Sequence, residues 1–170
     1  MTLEEFNHLP QAVAVTALSQ CCAASAWVQA MVDGRPYADI PQLLEAADRA
    51  WLRMDEPNLL EAFSAHPQIG NVVSLLEKYA STQAMAASEQ SAIAAASEAT
   101  LRALAQANHS YLEKFGFIFI VCATGKSAQE MLDLLYARLP NSREQELINA
   151  AEEQRKITAI RLRKLLEKST

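Results

Sequence analysis

The run Pro41-Gln42-Leu43-Leu44-Glu45-Ala46-Ala47-Asp48-Arg49-Ala50-Trp51 sets Leu43, Leu44, Ala47, Ala50 and Trp51 on one helical face. Pro41 suits the first turn of that helix, where a missing N–H costs nothing. Four residues after Trp51, Asp55 and Pro57 repeat the start signal, and Leu59, Leu60 and Phe63 follow as the inward face of a second helix. The neighbouring sequence reads as helical almost throughout as well.

Upstream, Thr2 and Glu5 have the spacing of a capping box, and Pro10 opens a helix through Val13, Val15 and Leu18. A third segment, from Ala23 to Met31, ends at the turn signal Asp33-Gly34-Arg35-Pro36. Downstream, Asn71 to Tyr79 reads as irregular or weakly helical. An Ala-rich helix is expected from Met85 to Ala107, and a separate helical turn from Asn108 to Phe115 that stops at Gly116. Ser127 with Glu130, and Ser142 with Gln145, repeat the capping-box spacing. The first pair opens a helix carrying Met131, Leu134, Leu135 and Ala137, and the second opens a long last helix to about Glu167. Without repeats or linkers, residues 1–170 read as a single compact all-α domain. One short segment departs from the pattern. Phe117-Ile118-Phe119-Ile120-Val121 is aromatic and β-branched, which favours extended backbone, yet no second such run exists to pair with it. Either it is helical against its propensity, or its amides bond loops, water or a ligand.

The composition narrows the function. Apolar residues make up 51% of the chain, enough for a core, and no stretch is long and apolar enough to span a membrane. The first ten residues have neither a basic start nor an apolar run, so no secretory signal is expected, and the cytoplasm of a bacterium is the expected compartment. A net charge of −5 argues against a nucleic-acid partner. It permits an anionic small-molecule substrate only where the site supplies local positive charge. Cys21, Cys22 and Cys122 read as free thiols, and His8, His66 and His109 lack metal-ligand spacing, so no metal site is expected.

Three polar residues stand where apolar ones are expected. His66 follows a helix and precedes Pro67, which disfavours α geometry before it. The helix C-terminus favours its protonation and burial opposes it, a balance suited to proton transfer near neutral pH. The competing reading is a helix-stop histidine bonding a carbonyl. Glu89 lies four residues after Met85 and four before Ile93, on an apolar face, with Gln90 beside it. Such a carboxylate needs a partner or a cleft, unless it sits exposed in the first turn. Arg161 is bracketed by Ile157 and Leu165, so its guanidinium should meet a carboxylate, either the protein's own in an ion pair or a ligand's.

Three stretches, His66-Pro67-Gln68-Ile69-Gly70, Ser88-Glu89-Gln90 and Tyr111-Leu112-Glu113-Lys114-Phe115-Gly116-Phe117-Ile118-Phe119, together with the surroundings of Arg161-Leu162, resemble the signatures of the 2-oxo-4-hydroxy-4-carboxy-5-ureidoimidazoline (OHCU) decarboxylases. The resemblance runs from about Asn7 to Leu166. It implies an all-helical enzyme with no metal and no organic cofactor, which forms (S)-allantoin at the end of urate oxidation, and a homodimer. It implies that His66 is catalytic with Glu89 as its partner carboxylate. It also implies that Gln90 and Arg161 bind substrate, and that Pro67 and the backbone at Phe119, Ile120 and Val121 line the pocket. Two positions depart from the family pattern: Gln68, where a basic residue is frequent, and Ala86, where a hydroxyl is. The competing readings are a helical interaction module without chemistry, and a related decarboxylase or lyase acting on another small ureide.

Overall fold

The structure, a computed structural model, describes residues 1–67 and 90–167, with the backbone alone over 90–97. Among the described residues it is all-helical and carries no strand, in agreement with the expected class. The helices are α1 (Leu3–Asn7), α2 (Gln11–Cys21), α3 (Ser25–Asp33), α4 (Ile40–Leu52), α5 (Glu56–Ser64), α6 (described over Gln90–Phe115), α7 (Ala128–Arg138) and α8 (Arg143–Leu166). The chain divides into two compact units, Met1–His66 with Asn149–Thr170, and Pro67–Ile148.

In the first unit the start signals act as read. Thr2 and Glu5 form the reciprocal capping box, while Asp39 and Asp55 cap α4 and α5 by accepting from Gln42 N–H and Asn58 N–H. Each such cap contributes about 0.5–2 kcal/mol. Helix α3 packs against α2, α4 and α5. The core holds Phe6, Leu18, Trp27, Met31, Leu43, Trp51, Phe63 and Leu162, and each large apolar side chain so buried gives about 1.5–3 kcal/mol. Helix α2 turns Ala14, Leu18 and Cys21 inward and leaves Val13 exposed. Both tryptophans complete their burial with an indole hydrogen bond, Trp27 to the Ala47 carbonyl at 3.1 Å and Trp51 to the Ala151 carbonyl at 2.9 Å. The second of these ties α4 to α8.

In the second unit α6 packs against α7. The helix expected to end at Ala107 and the turn expected from Asn108 are one continuous helix. Asn108 does not break it, because its amide turns back to the Leu104 carbonyl at 2.9 Å and the flanking Ala107 and Tyr111 are buried. Gly116, at φ +79°, ends α6 in the left-handed conformation, with its N–H on the Leu112 carbonyl. Ser127 and Glu130 form the second capping box, and at the start of α8 the Ser142 hydroxyl accepts from Gln145 N–H. Residues 117–123 are neither helix nor strand. Phe117 and Phe119 pack edge-on against Tyr111, which also stacks on Phe115 at 4.4 Å.

Candidate active site

His66 stands just past the end of α5, its N–H on the Phe63 carbonyl at 3.2 Å, with Pro67 preventing any continuation of the helix. The ring is half-buried. Its Nε2 lies 2.5 Å from Oε1 of Gln154, 88 residues away on α8. The imidazole is therefore held by a side-chain amide and not by a helix-end carbonyl. Among the described residues Nδ1 has no hydrogen-bond partner. Burial pushes the His66 pKa below its ordinary 6.5, the bond to Gln154 opposes this, and the positive charge of Arg161 adds to the lowering. Of the two opposing influences expected from the sequence, burial prevails.

Gln154 and Thr158 are among the few buried polar side chains of the described chain. The Gln154 amide donates from Nε2 to Thr158 Oγ1 at 3.0 Å, and the Thr158 hydroxyl donates to the Cys21 carbonyl at 3.5 Å. Arg161 continues the same face of α8. Its Nη1 reaches the carbonyls of Gln20 and Cys21, both at 3.5 Å, at the C-terminal end of α2, where the helix dipole favours a cation. No carboxylate among the described residues lies within ion-pair distance of Arg161. The ion pair expected as its structural alternative is therefore absent among the described residues, where Nε and Nη2 also meet no acceptor. Cys21 and Cys22, both buried and free, are pushed up to about 11, mainly by burial.

The second unit holds Phe119, Ile120 and Val121. Phe119 and Ile120 are buried and Val121 is half-buried. Among the described residues no acceptor meets the backbone N–H of Phe119, Ile120 or Val121. The Ile120 carbonyl, by contrast, is clamped by Arg138 Nη1 at 2.7 Å. The same guanidinium donates from Nε to the fully buried Glu146 carboxylate at 2.7 Å and lies 4.6 Å over the Phe119 ring. Glu146 also accepts from the Tyr111 hydroxyl at 2.5 Å and from Asn141 Nδ2 at 2.9 Å. Burial, then the bond to Glu146, hold the Tyr111 phenol protonated by pushing its pKa up.

Of the residues singled out in the sequence, the structure brings His66 and Arg161 together in the first unit, and keeps Phe119, Ile120 and Val121 adjacent in the second. Pro67 is exposed and directly follows His66. Glu89, the side chain of Gln90, and Gln68, Ala86 and Ser88 lie outside the described residues, as does the segment from Asn71 to Tyr79. Gln154, Thr158, Arg138 and Glu146 went unnoticed. Gln154 and Thr158 were detectable, since with Arg161 they fall at i, i+4 and i+7 on one helical face. Glu146 gave no such signal, because a glutamate in the first turn of a helix reads as an exposed partner of the dipole. Among the described residues no three His, Cys, Asp or Glu side chains gather in a way that could hold a metal ion.

The family model described as OHCU decarboxylase matches residues 7–163. The uric acid degradation bifunctional protein TTL of Arabidopsis thaliana is 39% identical over 145 residues, 85% of this chain and 45% of that protein. A 2-oxo-4-hydroxy-4-carboxy-5-ureidoimidazoline decarboxylase of Haloferax volcanii is 25% identical over 95% of this chain and 94% of its own length. The chain thus spans about half of the plant relative and nearly all of the archaeal one. A crystal structure of OHCU decarboxylase in the presence of (S)-allantoin superposes with a TM-score of 0.68 at 38% identity, covering 87% of this chain and 95% of that one. With a match over nearly its whole length and the His66-Pro67 and Lys114-Phe115-Gly116-Phe117 blocks in place, the chain belongs to the OHCU decarboxylase family.

Proposed function

We propose that this chain decarboxylates 2-oxo-4-hydroxy-4-carboxy-5-ureidoimidazoline to (S)-allantoin. The observation that carries the reading is the pairing, within one unit, of a neutral-tending imidazole with a guanidinium where, among the described residues, Nδ1 of the ring has no hydrogen-bond partner and the guanidinium no carboxylate. The first is a base available at neutral pH, and the second is an unspent anion ligand.

The chemistry asks for little else. When the bond from the ring to the carboxylate breaks, CO₂ leaves and the electron pair forms a carbon–carbon double bond with the neighbouring ureido-bearing carbon. The electrons of the adjacent C=N move onto nitrogen, which takes up a proton. The resulting enol loses its hydroxyl proton and gains one at the ureido-bearing carbon. The sum is one proton consumed for each CO₂ released, and the ring itself is the electron sink. Nδ1 of His66 is suited to accept the hydroxyl proton and return it to carbon. Arg161 would bind the carboxylate or ring oxygen. The amides at Phe119, Ile120 and Val121, which meet no acceptor among the described residues, would bond ring atoms, and Pro67 would form part of the pocket wall. Glu89 and Gln90 would hold the ureido N–H groups, a role favoured for Glu89 over orienting His66 because Nε2 already has Gln154. Proton delivery to one face gives one enantiomer. A bacterial cytoplasmic setting and a homodimer belong to the same reading.

Substrate made in place with urate oxidase and hydroxyisourate hydrolase tests it. Spontaneous decay yields racemic allantoin slowly. The expected result is rapid loss of the substrate signal with a circular-dichroism trace of the S enantiomer. Decay at the uncatalysed rate, or a racemic product, excludes the reaction.

A further inference from the structure

We propose that Gln154 is a positioning residue for His66, which it holds as the Nε2–H tautomer through a one-way hydrogen-bond chain over Thr158 to the Cys21 carbonyl, leaving Nδ1 as the working nitrogen. The direction of the chain follows from its end. A backbone carbonyl can only accept, so at the 3.5 Å contact the Thr158 hydroxyl must be the donor. With its single proton committed in that direction, Thr158 Oγ1 offers only lone pairs to Gln154 at 3.0 Å, and the Gln154 NH₂ must face it. The amide oxygen is then turned to His66, 2.5 Å away, and a carbonyl oxygen requires an N–H at Nε2.

The reverse arrangement fails on burial. Flipping the Gln154 amide would aim its oxygen at Thr158 and draw the hydroxyl proton away from Cys21. That would set the lone pairs of Thr158 Oγ1 and the Cys21 carbonyl face to face, leaving that carbonyl only the long 3.5 Å contact from Arg161 Nη1, at a site where Gln154 is 1% and Thr158 6% exposed. Arg161 is the charged group acting on the imidazole, and it contributes no acceptor that could hold Nε2–H instead. The arrangement also suits a shuttle. His66 can gain and lose a proton at Nδ1 without breaking any link, because Nε2–H donates to Gln154 in both the neutral and the charged ring.

The inference deepens the proposed reaction and rests on it for its catalytic meaning, but the tautomer itself is read without substrate. Protein carrying ring-¹⁵N histidine gives that reading from long-range ¹H–¹⁵N correlations, with His66 assigned by its loss in His66→Ala. Above the His66 pKa the intact chain should show a protonated-type Nε2 and a lone-pair-type Nδ1. In Gln154→Leu the preference should weaken toward a tautomer mixture. In Gln154→Glu the new carboxylate should raise the pKa of His66 and move the acid limb of the kcat profile to higher pH. With substrate, Gln154→Leu should lower kcat by about tenfold or more while KM changes less than about threefold, since a misplaced proton impairs the chemical step and not binding. A wild-type His66 protonated at Nδ1 overturns the proposal, and this measurement needs no variant to fold. So does an unchanged tautomer and pH profile in folded Gln154→Leu and Gln154→Glu. If the wild-type ring carries its proton on Nε2 and the chain still fails to accelerate decarboxylation, the positioning role stands and the proposed reaction falls.

Discussion

At the scale of the residue, His66 is useful because burial outweighs the Gln154 hydrogen bond that favours its charged form. Its pKa lies below 6.5, so at pH 7 the ring is mostly neutral and Nδ1 can accept a proton. A base of this kind works above its pKa and fails below it. The profile of kcat/KM should therefore be flat through neutrality and fall only below pH 6.5, with a single protonation. An acid limb centred above that value would mean that another group is titrating. Replacing His66 with Ala should cost roughly 10²-fold or more in turnover, a common magnitude for a positioned acid–base residue, with the helical circular-dichroism spectrum retained. Near-normal turnover in that variant would remove His66 from the mechanism. The cysteines give an independent check on the same buried environment. With Cys21 and Cys22 held near 11, only about one thiol in 10³ is ionised at pH 8. Iodoacetamide followed by mass spectrometry should mark Cys122 well before either of them. Early labelling at Cys21 or Cys22 would show that this part of the first unit is open to solvent.

At the scale of the element, the link from α6 to α7 has no ladder of its own and depends on one buried ionic cluster. Arg138, at the end of α7, bonds the Ile120 carbonyl and the Glu146 carboxylate, while Tyr111 on α6 bonds the same carboxylate. Glu146 is fully buried and Arg138 nearly so. Removing one member leaves its partner charged and uncompensated, which costs far more than removing both. Glu146→Leu should lose about 3–5 kcal/mol, a Tm drop of roughly 10 °C, and Arg138→Met with Glu146→Leu should recover a good part of it. Equal losses in the single and double variants would show that the pair is not coupled. This cluster also marks where sequence reasoning stopped. Caps and apolar periods located α4, α5, α7 and the start of α8 closely, because such signals are local. The fate of residues 117–121 is not local. Their propensity correctly argued against a helix, but the group that secures their backbone is an arginine from the next helix, which reads in sequence as an ordinary basic last turn. Likewise, the continuity of α6 through Asn108 depends on that side chain folding back on Leu104.

At the scale of the whole molecule, charge sets the remaining constraint. A chain of net charge −5 repels the anion it is proposed to bind, so affinity must come from a cation held locally and not already neutralised. The described arginines mostly fail that condition. Arg49, Arg102, Arg138 and Arg155 have carboxylate partners, and Arg35 spends its guanidinium on the carbonyls of Phe6, Leu9 and Val32. Arg161 meets it. It is anchored through one nitrogen to the end of α2, acts electrostatically on His66, and lacks a carboxylate among the described residues. The sequence identified this arginine through its apolar row, though it could not say which of two partners, a protein carboxylate or a ligand, the guanidinium would serve. A charged hydrogen bond contributes about 1.5–3 kcal/mol, so Arg161→Ala should reduce kcat/KM by roughly 10- to 10²-fold. Because a clamp on the departing carboxylate or ring oxygen acts in the transition state as well as the ground state, KM should rise and kcat fall together. Arg161→Lys should recover only part, since an ammonium keeps the charge and loses the planar two-point bond. Added guanidinium ion, at concentrations too low to unfold the protein, should partly restore Arg161→Ala and leave His66→Ala unchanged. Unaltered kinetics in Arg161→Ala would place the anion site on another cation.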